Sequence, residues 1–210
     1  MKPNNILFIF AMFAIFFIFV NITVTFLKIV EFNKELSGYS FANVNISINS
    51  VILLNMPQNL LDWGVGSVNS SFNNATLYTR GNNTGYVYGG NWSGSNVTGF
   101  VVQNLGTVNC SISIRTNKNA HDFFMSASNT NEEYKLNVTN KKPDSCSGGS
   151  TLGLWSNVSK DPGGTLYCSQ FNHDTNHNEV YVDVLMTIPK DANKIGPQSD
   201  TLTIIGTPSF

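Results

Sequence analysis

The chain has 210 residues and a net charge of −1, and only 12% of its residues are charged. So little charge, with no basic cluster, argues against nucleic-acid binding and against a polybasic membrane-surface patch. Asn, Ser, Thr and Gly supply the polarity instead, as on many exported chains, and the length allows one domain plus extras.

Residues 1–5 read as a short cytoplasmic leader. From Ile6 to Val30 the chain is ILFIFAMFAIFFIFVNITVTFLKIV, interrupted only by Asn21, Thr23, Thr25 and Lys28. A helix of about 20 such residues spans the roughly 30 Å hydrocarbon core of a bilayer. The run is longer than the roughly 7–15 residues of a signal-peptide h-region, and no small-x-small cleavage site follows Val20. We therefore expect a transmembrane signal-anchor over 6–30, with a cleaved signal peptide as the competing reading. The apolar residues surround the helix instead of forming a stripe, which disfavours a core helix. Lys2 precedes the run and Lys28 and Lys34 follow it, so flanking charge does not set the orientation. Sequons at Asn45, Asn69, Asn74, Asn82, Asn91, Asn96, Asn109, Asn137 and Asn157 lie C-terminal to the run. They are glycosylation candidates and fit an extracellular C-terminal domain, although an Asn-, Ser- and Thr-rich chain also makes sequons by chance.

Residues 31–40 form a stalk, and the β signals begin after it. Val44, Ile46 and Ile48 alternate with polar residues, predicting a half-buried strand that Val51–Leu54 continues past a bulge. Asp62–Val68 reads as a strand with glycine kinks. The Gly- and Asn-rich stretch 80–99 reads as turns around a short Tyr86-Val87-Tyr88 strand. Phe100–Gln103 and Val108–Arg115 follow, with Asn104–Thr107 as a tight turn, so a hairpin is expected there. In the second strand Val108, Cys110, Ile112 and Ile114 share one parity, and Asn109, Ser111 and Ser113 the other. Phe123–Ser126 and Tyr134–Val138 are weaker strands, and Lys141–Gly164 a long loop. Val180, Val182, Val184, Met186 and Ile188 mark the clearest strand, and Thr201–Ile205 closes the domain. Short strands with turn signals between them predict an all-β fold over 41–210, an Ig-like or jelly-roll-type antiparallel β-sandwich.

There are three cysteines. In an oxidising compartment Cys146, in a loop composition, pairs with Cys168, in a strand composition, and Cys110 is left as a small inward-facing hydrophobe. Bonds from Cys110 to either partner, or three free thiols, remain open at this point. The absence of a C-x2-C pair disfavours zinc.

Chemistry-bearing patterns are few. His173 and His177 are four apart, the metal-binding spacing of a helix, but they sit in a loop entering a strand and no Glu follows His173. Asp144, Asp161 and Asp174 lack the EF-hand series. Gly90–Gly94 places Ser93 one position late for a nucleophile elbow. His121-Asp122 offers a base and an acid without a placed nucleophile. Paired carboxylates, a P-loop and a dinucleotide fingerprint are missing as well. We expect no catalytic residues, no cofactor and no enzyme. Trp92 and Tyr88 are the candidates for stacking a ligand, with Trp63, Trp155 and Tyr86 as further aromatics.

Phe100-Val101-Val102-Gln103-Asn104-Leu105-Gly106 resembles the F-x-x-x-N-x-G hairpin of secreted β-sandwiches, including camelysin and TasA-type fibre subunits and archaeal surface proteins. Ile188-Pro189, Gly196 and Asp200–Ile204 look like the last hairpin of the same class. The Asn-rich composition and the apolar start resemble surface proteins of small-genome archaea. The plan of leader, apolar stem, β head and disulfide loop is also similar to type IV pilin-like proteins. It departs from them at Asn5, where Gly or Ala is usual, and at Phe10, where Glu is. These resemblances imply a single-pass protein of the cell membrane with its C-terminal domain outside, acting as a surface or filament subunit. Its partners would be the bilayer through 6–30, other copies or other surface proteins. The alternatives are an anchored adhesin that binds carbohydrate and, further off, a metal-dependent surface enzyme.

Overall fold

The computed structural model describes residues 12–13, 15–25, 27, 50–94, 97–127, 131–194 and 196–209. They fall into two compact units, one within residues 1–48 and one within 49–210. The expected strand Val44–Ile48, the stalk, the leader and the sequons Asn45 and Asn96 lie outside the described residues.

In the first unit, residues 12–13, 15–25 and 27 are helical. Three of the polar interruptions, Asn21, Thr23 and Thr25, bond to the helix's own backbone. Asn21 Nδ2 donates to Phe17 O, Thr23 Oγ1 to Phe19 O and Thr25 Oγ1 to Asn21 O, each at 2.8 Å. Each thus bonds back to the carbonyl four residues earlier and hides its polarity along the helix. The large apolar side chains are exposed on all sides, from 41% at Val20 to 65% at Phe19. Among the described residues no helix is long and apolar enough to cross a membrane.

The second unit is all-β. Its strands are β1 (Leu54–Asn55), β2 (Asn74–Arg80), β3 (Asn83–Tyr88), β4 (Phe100–Asn104), β5 (Cys110–Thr116) and β6 (Glu133–Asn140). They continue with β7 (Cys146–Ser147), β8 (Ser156–Asn157), β9 (Thr165–Phe171), β10 (Glu179–Pro189) and β11 (Leu202–Pro208). One sheet runs β1-β4-β10-β2-β3, with β6 on β10 and β8 on β6, and the other runs β11-β5-β9-β7. All strand pairings are antiparallel.

Period-two alternation explains how the sheets face each other. Cys110, Ile112, Ile114 and Thr116 of β5 are buried, while Ser111, Ser113 and Arg115 are not. Those inward residues meet Phe100 and Val102 of β4, Leu136 and Val138 of β6, and Val180, Val182 and Val184 of β10 in one core. A smaller cluster of Trp63, Ala75, Leu77 and Val97 lies beneath β2.

β10 is the spine of the larger sheet. β6 runs along one side of it from Val180 to Thr187. On its other side β4 pairs with Glu179–Val182 and β2 with Leu185–Pro189, end to end. The gap between β4 and β2 falls at Asp183, which is buried. Its Oδ1 accepts from Thr79 Oγ1 at 2.7 Å and from Gly81 N at 2.6 Å, while Thr79 Oγ1 accepts from Val184 N at 2.9 Å. The carboxylate therefore supplies bonds that the interrupted ladder lacks.

Several sequence expectations change. Phe100–Gln103 lies in β4 and Cys110–Arg115 in β5, but they are not a hairpin: β4 and β5 belong to different sheets. Asn104 explains the crossover. Its buried Nδ2 donates to Val108 O (3.0 Å) and to Phe171 O on β9 (3.2 Å), and its Oδ1 accepts from Gly106 N (3.0 Å). Asn104 and Asn178 are further tied by Asn104 N to Asn178 O and Asn178 Nδ2 to Asn104 O, each at 3.0 Å. Gly106 is required here because a Cβ would collide with the Val51 carbonyl. The N-x-G pattern thus builds a corner between sheets.

The closing pair is likewise not a hairpin, since β10 and β11 lie in different sheets. Asp200 fastens the start of β11 to the end of β5, accepting from Asn117 N and Lys118 N at 3.1 and 3.3 Å. Phe123–Ser126 is not a strand. A short helix, Ala120–Phe124, is set by a capping box between Asn119 and Asp122, which satisfies its first free N–H groups. Asp62–Val68 forms no full strand. It runs against Gly89–Gly94 through Asn69 N to Gly89 O, Asn91 N to Ser67 O, Ser93 N to Val65 O and Gly94 N to Trp63 O. Side chains complete that ribbon, as Asn91 Oδ1 accepts from Ser67 N at 2.7 Å. The loop Lys141–Gly164 contains the two-residue strands β7 and β8.

Candidate functional site

Cys146 and Cys168 form a disulfide between β7 and β9, and Cys110 is a free, buried thiol. Burial pushes the Cys110 thiol up to about 11, so it packs as a small hydrophobe.

The two histidines are not brought together on one ligand position. His173 Nδ1 lies 2.8 Å from Asn109 Oδ1, and His177 Nδ1 lies 2.6 Å from Pro143 O. Among the described residues no group of three or more His, Cys, Asp or Glu is placed to hold a metal. His121 has an acid partner, but it is Glu132: Nδ1 to Oε1 is 2.8 Å. The other Glu132 oxygen accepts from Ser126 Oγ at 3.0 Å. In that order the carboxylate stands between serine and imidazole, whereas nucleophile activation needs the imidazole beside the serine. The three residues clamp a turn. Asp122 caps the short helix, and the Lys160 ammonium followed by the Asn119 N–H holds its carboxyl below the usual range.

The sequons occupy unlike settings. Asn69, Asn82, Asn91 and Asn157 are exposed, while Asn74, Asn109 and Asn137 are half-buried. Asn109 Oδ1 binds His173, and Asn137 faces Asp183 across the sheet.

Trp92 is not an open loop aromatic. It is half-buried against the smaller cluster, and Gly66 and Gly90 approach its ring so closely that a Cβ on either would strike it. Trp63 is buried in the same cluster. Trp155 is 37% exposed and precedes β8, whose Asn157 is in register with Lys135 of β6.

Tyr88 is 54% exposed, and it is joined by residues that no single stretch of sequence reveals. The face of the larger sheet that points away from the core carries two neighbouring cross-strand rows. One row is Lys135, Leu185, Tyr78 and Tyr86, in direct register across β6, β10, β2 and β3. The next is Glu133, Thr187, Thr76 and Tyr88. The rings are braced. Tyr78 and Tyr86 pack at 5.3 Å, and Phe72 meets Tyr88 edge-on at 5.2 Å. The Arg80 guanidinium lies 6.0 Å from the Tyr86 centroid, with Nε and Nη2 donating to Thr84 O at 3.3 and 3.0 Å. Glu133 accepts from Thr187 Oγ1 at 2.9 Å and pairs with Lys135 at 2.5 Å. Lys135, and then Thr187, keep the Glu133 carboxyl below its ordinary range against the opposing effect of burial. The sequence signals for this face are the Tyr-Val-Tyr alternation of β3, the alternation of β10, whose other parity Asp183 and Thr187 mark, and the weaker strand Tyr134–Val138. β2, with Ala75, Leu77 and Thr79 buried on one parity, went unread.

No protein family matches this chain, and neither a curated protein nor a solved structure matches it.

Proposed function

We propose that the protein is a membrane-anchored structural subunit of the cell surface, non-enzymatic, with residues 6–30 in the bilayer and the β-sandwich outside. One observation carries the reading: a helical segment that exposes apolar side chains on every side and returns its own polar side chains to its backbone. A segment so built gains by immersion in lipid or by bundling with copies of itself. The disulfide supports an oxidising compartment, and the exposed sequons are compatible with glycosylation there. Strands that switch sheets suggest the Ig-like or jelly-roll group of sandwiches. Assembly would proceed by packing of stems or by strand addition at a sheet edge.

The test is mass spectrometry of the mature N-terminus in membrane, surface-sheared and medium fractions, with protease shaving of intact cells. An intact start at Met1 in the membrane fraction, with the sandwich cleaved from outside, is the expected result. A protein found wholly in the cytosol with reduced Cys146 and Cys168 would overturn the reading. Polymers sheared from the surface, with a chain shortened near Asn5, would specify a pilin-like filament.

A further inference from the structure

The geometry points to the paired rows on the outer face of the larger sheet as a binding site for a neutral, unbranched polysaccharide. The proposal goes beyond the structural role above and does not need the anchor.

A sugar chain offers two kinds of surface: the C–H faces of its rings and a fringe of hydroxyls. The sheet offers the matching pair side by side. Leu185, Tyr78 and Tyr86 form an apolar line across three strands, while Glu133, Thr187 and Thr76 form a parallel line of oxygens ending at Tyr88. Neighbouring strands lie about 4.8 Å apart, so successive side chains along the row fall at about the spacing of successive sugar rings. Tyr86 and Tyr88, about 7 Å apart as alternate residues of one strand, are 42% and 54% exposed. Their neighbours Tyr78, Arg80 and Phe72 hold them in place. Rings already fixed lose little freedom on binding.

Charge and composition bear on the competitors. Lys135 is paired with Glu133, which leaves Arg80, bonded to the neutral Thr84 carbonyl and lying by the Tyr86 ring, as the single cation beside the rows, too little charge to favour an acidic polymer over a neutral one. Protein interfaces also enrich Tyr, so a second copy on this face is the competing occupant, which sedimentation distinguishes; the alternation of rings with Thr76 and Glu133 oxygens favours a sugar. The glycan thus contacts Tyr78, Tyr86 and Tyr88 through its ring faces and Glu133 and Thr76 through its hydroxyls, while the buried Thr187 holds the Glu133 carboxylate in place.

The test uses the full chain in a zwitterionic detergent with no sugar headgroup. Isothermal titration is run with cellohexaose, chitohexaose and, as the acidic comparator, hexagalacturonate. At least one neutral hexasaccharide is expected to bind and hexagalacturonate to bind no better. Tyr86→Ala and Tyr88→Ala should each weaken binding about tenfold, the scale of losing one stacked ring. The melting temperature should stay within a degree or two, since both rings are largely outside the core. Thr76→Val, which keeps shape and removes a hydroxyl, should weaken binding several-fold. In the wild-type chain, saturation-transfer NMR should show contact at sugar C–H protons, a readout independent of any variant's folding. Failure of both neutral probes to bind, or binding unchanged in the Tyr86→Ala/Tyr88→Ala double variant, overturns the site. So does sedimentation showing that the double variant loses a dimer while the wild type binds no glycan, which would assign the face to a second copy. None of these outcomes bears on where the protein is anchored.

Discussion

Replacing Asn104 by alanine tests whether one amide holds the two sheets at their shared corner. The side chain is fully buried and makes three bonds to backbone groups, to the carbonyls of Val108 and Phe171 and from the N–H of Gly106, besides a longer one to the Cys110 sulfur. Asn104→Ala leaves all three backbone groups without that partner. At about 1 kcal/mol for each bond lost, the expected loss is about 3 kcal/mol. For a domain of this size 1 kcal/mol moves Tm by about 2–4 °C, so a fall of about 6–12 °C is expected in thermal melting followed by near-ultraviolet circular dichroism. Asn104→Asp should be worse: it keeps the acceptor for Gly106 but turns a carboxylate toward two carbonyl oxygens in a dry site. A fall of less than about 3 °C for the alanine variant, or an aspartate variant as stable as the parent, would refute the assignment.

Other outcomes follow from named contacts. The Lys141 and Lys142 ammonium groups lower the Glu179 carboxyl to about 2 from 4.5. The unfolded chain therefore binds the proton first as pH falls. The stabilising contribution is fully present above about pH 4.5 and is lost as pH drops toward 2, a loss that Glu179→Gln should remove from an acid-melting series. Reducing the Cys146–Cys168 bond, which spans 22 residues, should cost about 3 kcal/mol. The measurement is the difference between denaturation midpoints with and without dithiothreitol, and a Cys146→Ser/Cys168→Ser variant should show no such difference. Trp92→Ala should lower stability by about 2–3 kcal/mol, read from the same melts. A variant with unchanged Tm would return Trp92 to the surface role its sequence neighbours suggest.

Much of the sandwich was legible because alternation is a local signal. The inward parity of β5 and the long apolar parity of β10 are written in consecutive residues, and the cysteine in loop composition does bond the one in strand composition. Sheet membership is not local. Asn104-Leu105-Gly106 reads as a hairpin turn until the reach of the Asn104 amide to Phe171, 67 positions away, is known. The short helix was readable in principle, since Asn119 and Asp122 stand at capping-box spacing. The diphenylalanine after them suggested a strand instead. Glycines beside Trp92 suggest an open loop, yet Gly90, with the distant Gly66, is small so that the indole can lie against the backbone. The Tyr-Val-Tyr alternation of β3 is visible in the sequence, but the rows it joins exist only once Leu185, Tyr78 and Tyr86 are in register.

The position of β10 has a consequence for how the chain acquires its shape. β2, β4 and β6 do not pair with one another; each pairs with β10. Thr76 meets Thr187 at a separation of 111 residues, and Thr79 meets Asp183 at 104. Closing loops of that length is slow, and such non-local pairing places folding in the millisecond-to-second range. While the chain is being made, β2, β4 and β6 wait with open edges and uncovered apolar faces. A fragment ending before Glu179 is therefore not a smaller sandwich but a set of strands without the one that joins them, and it is the form of this protein most prone to stick to other chains.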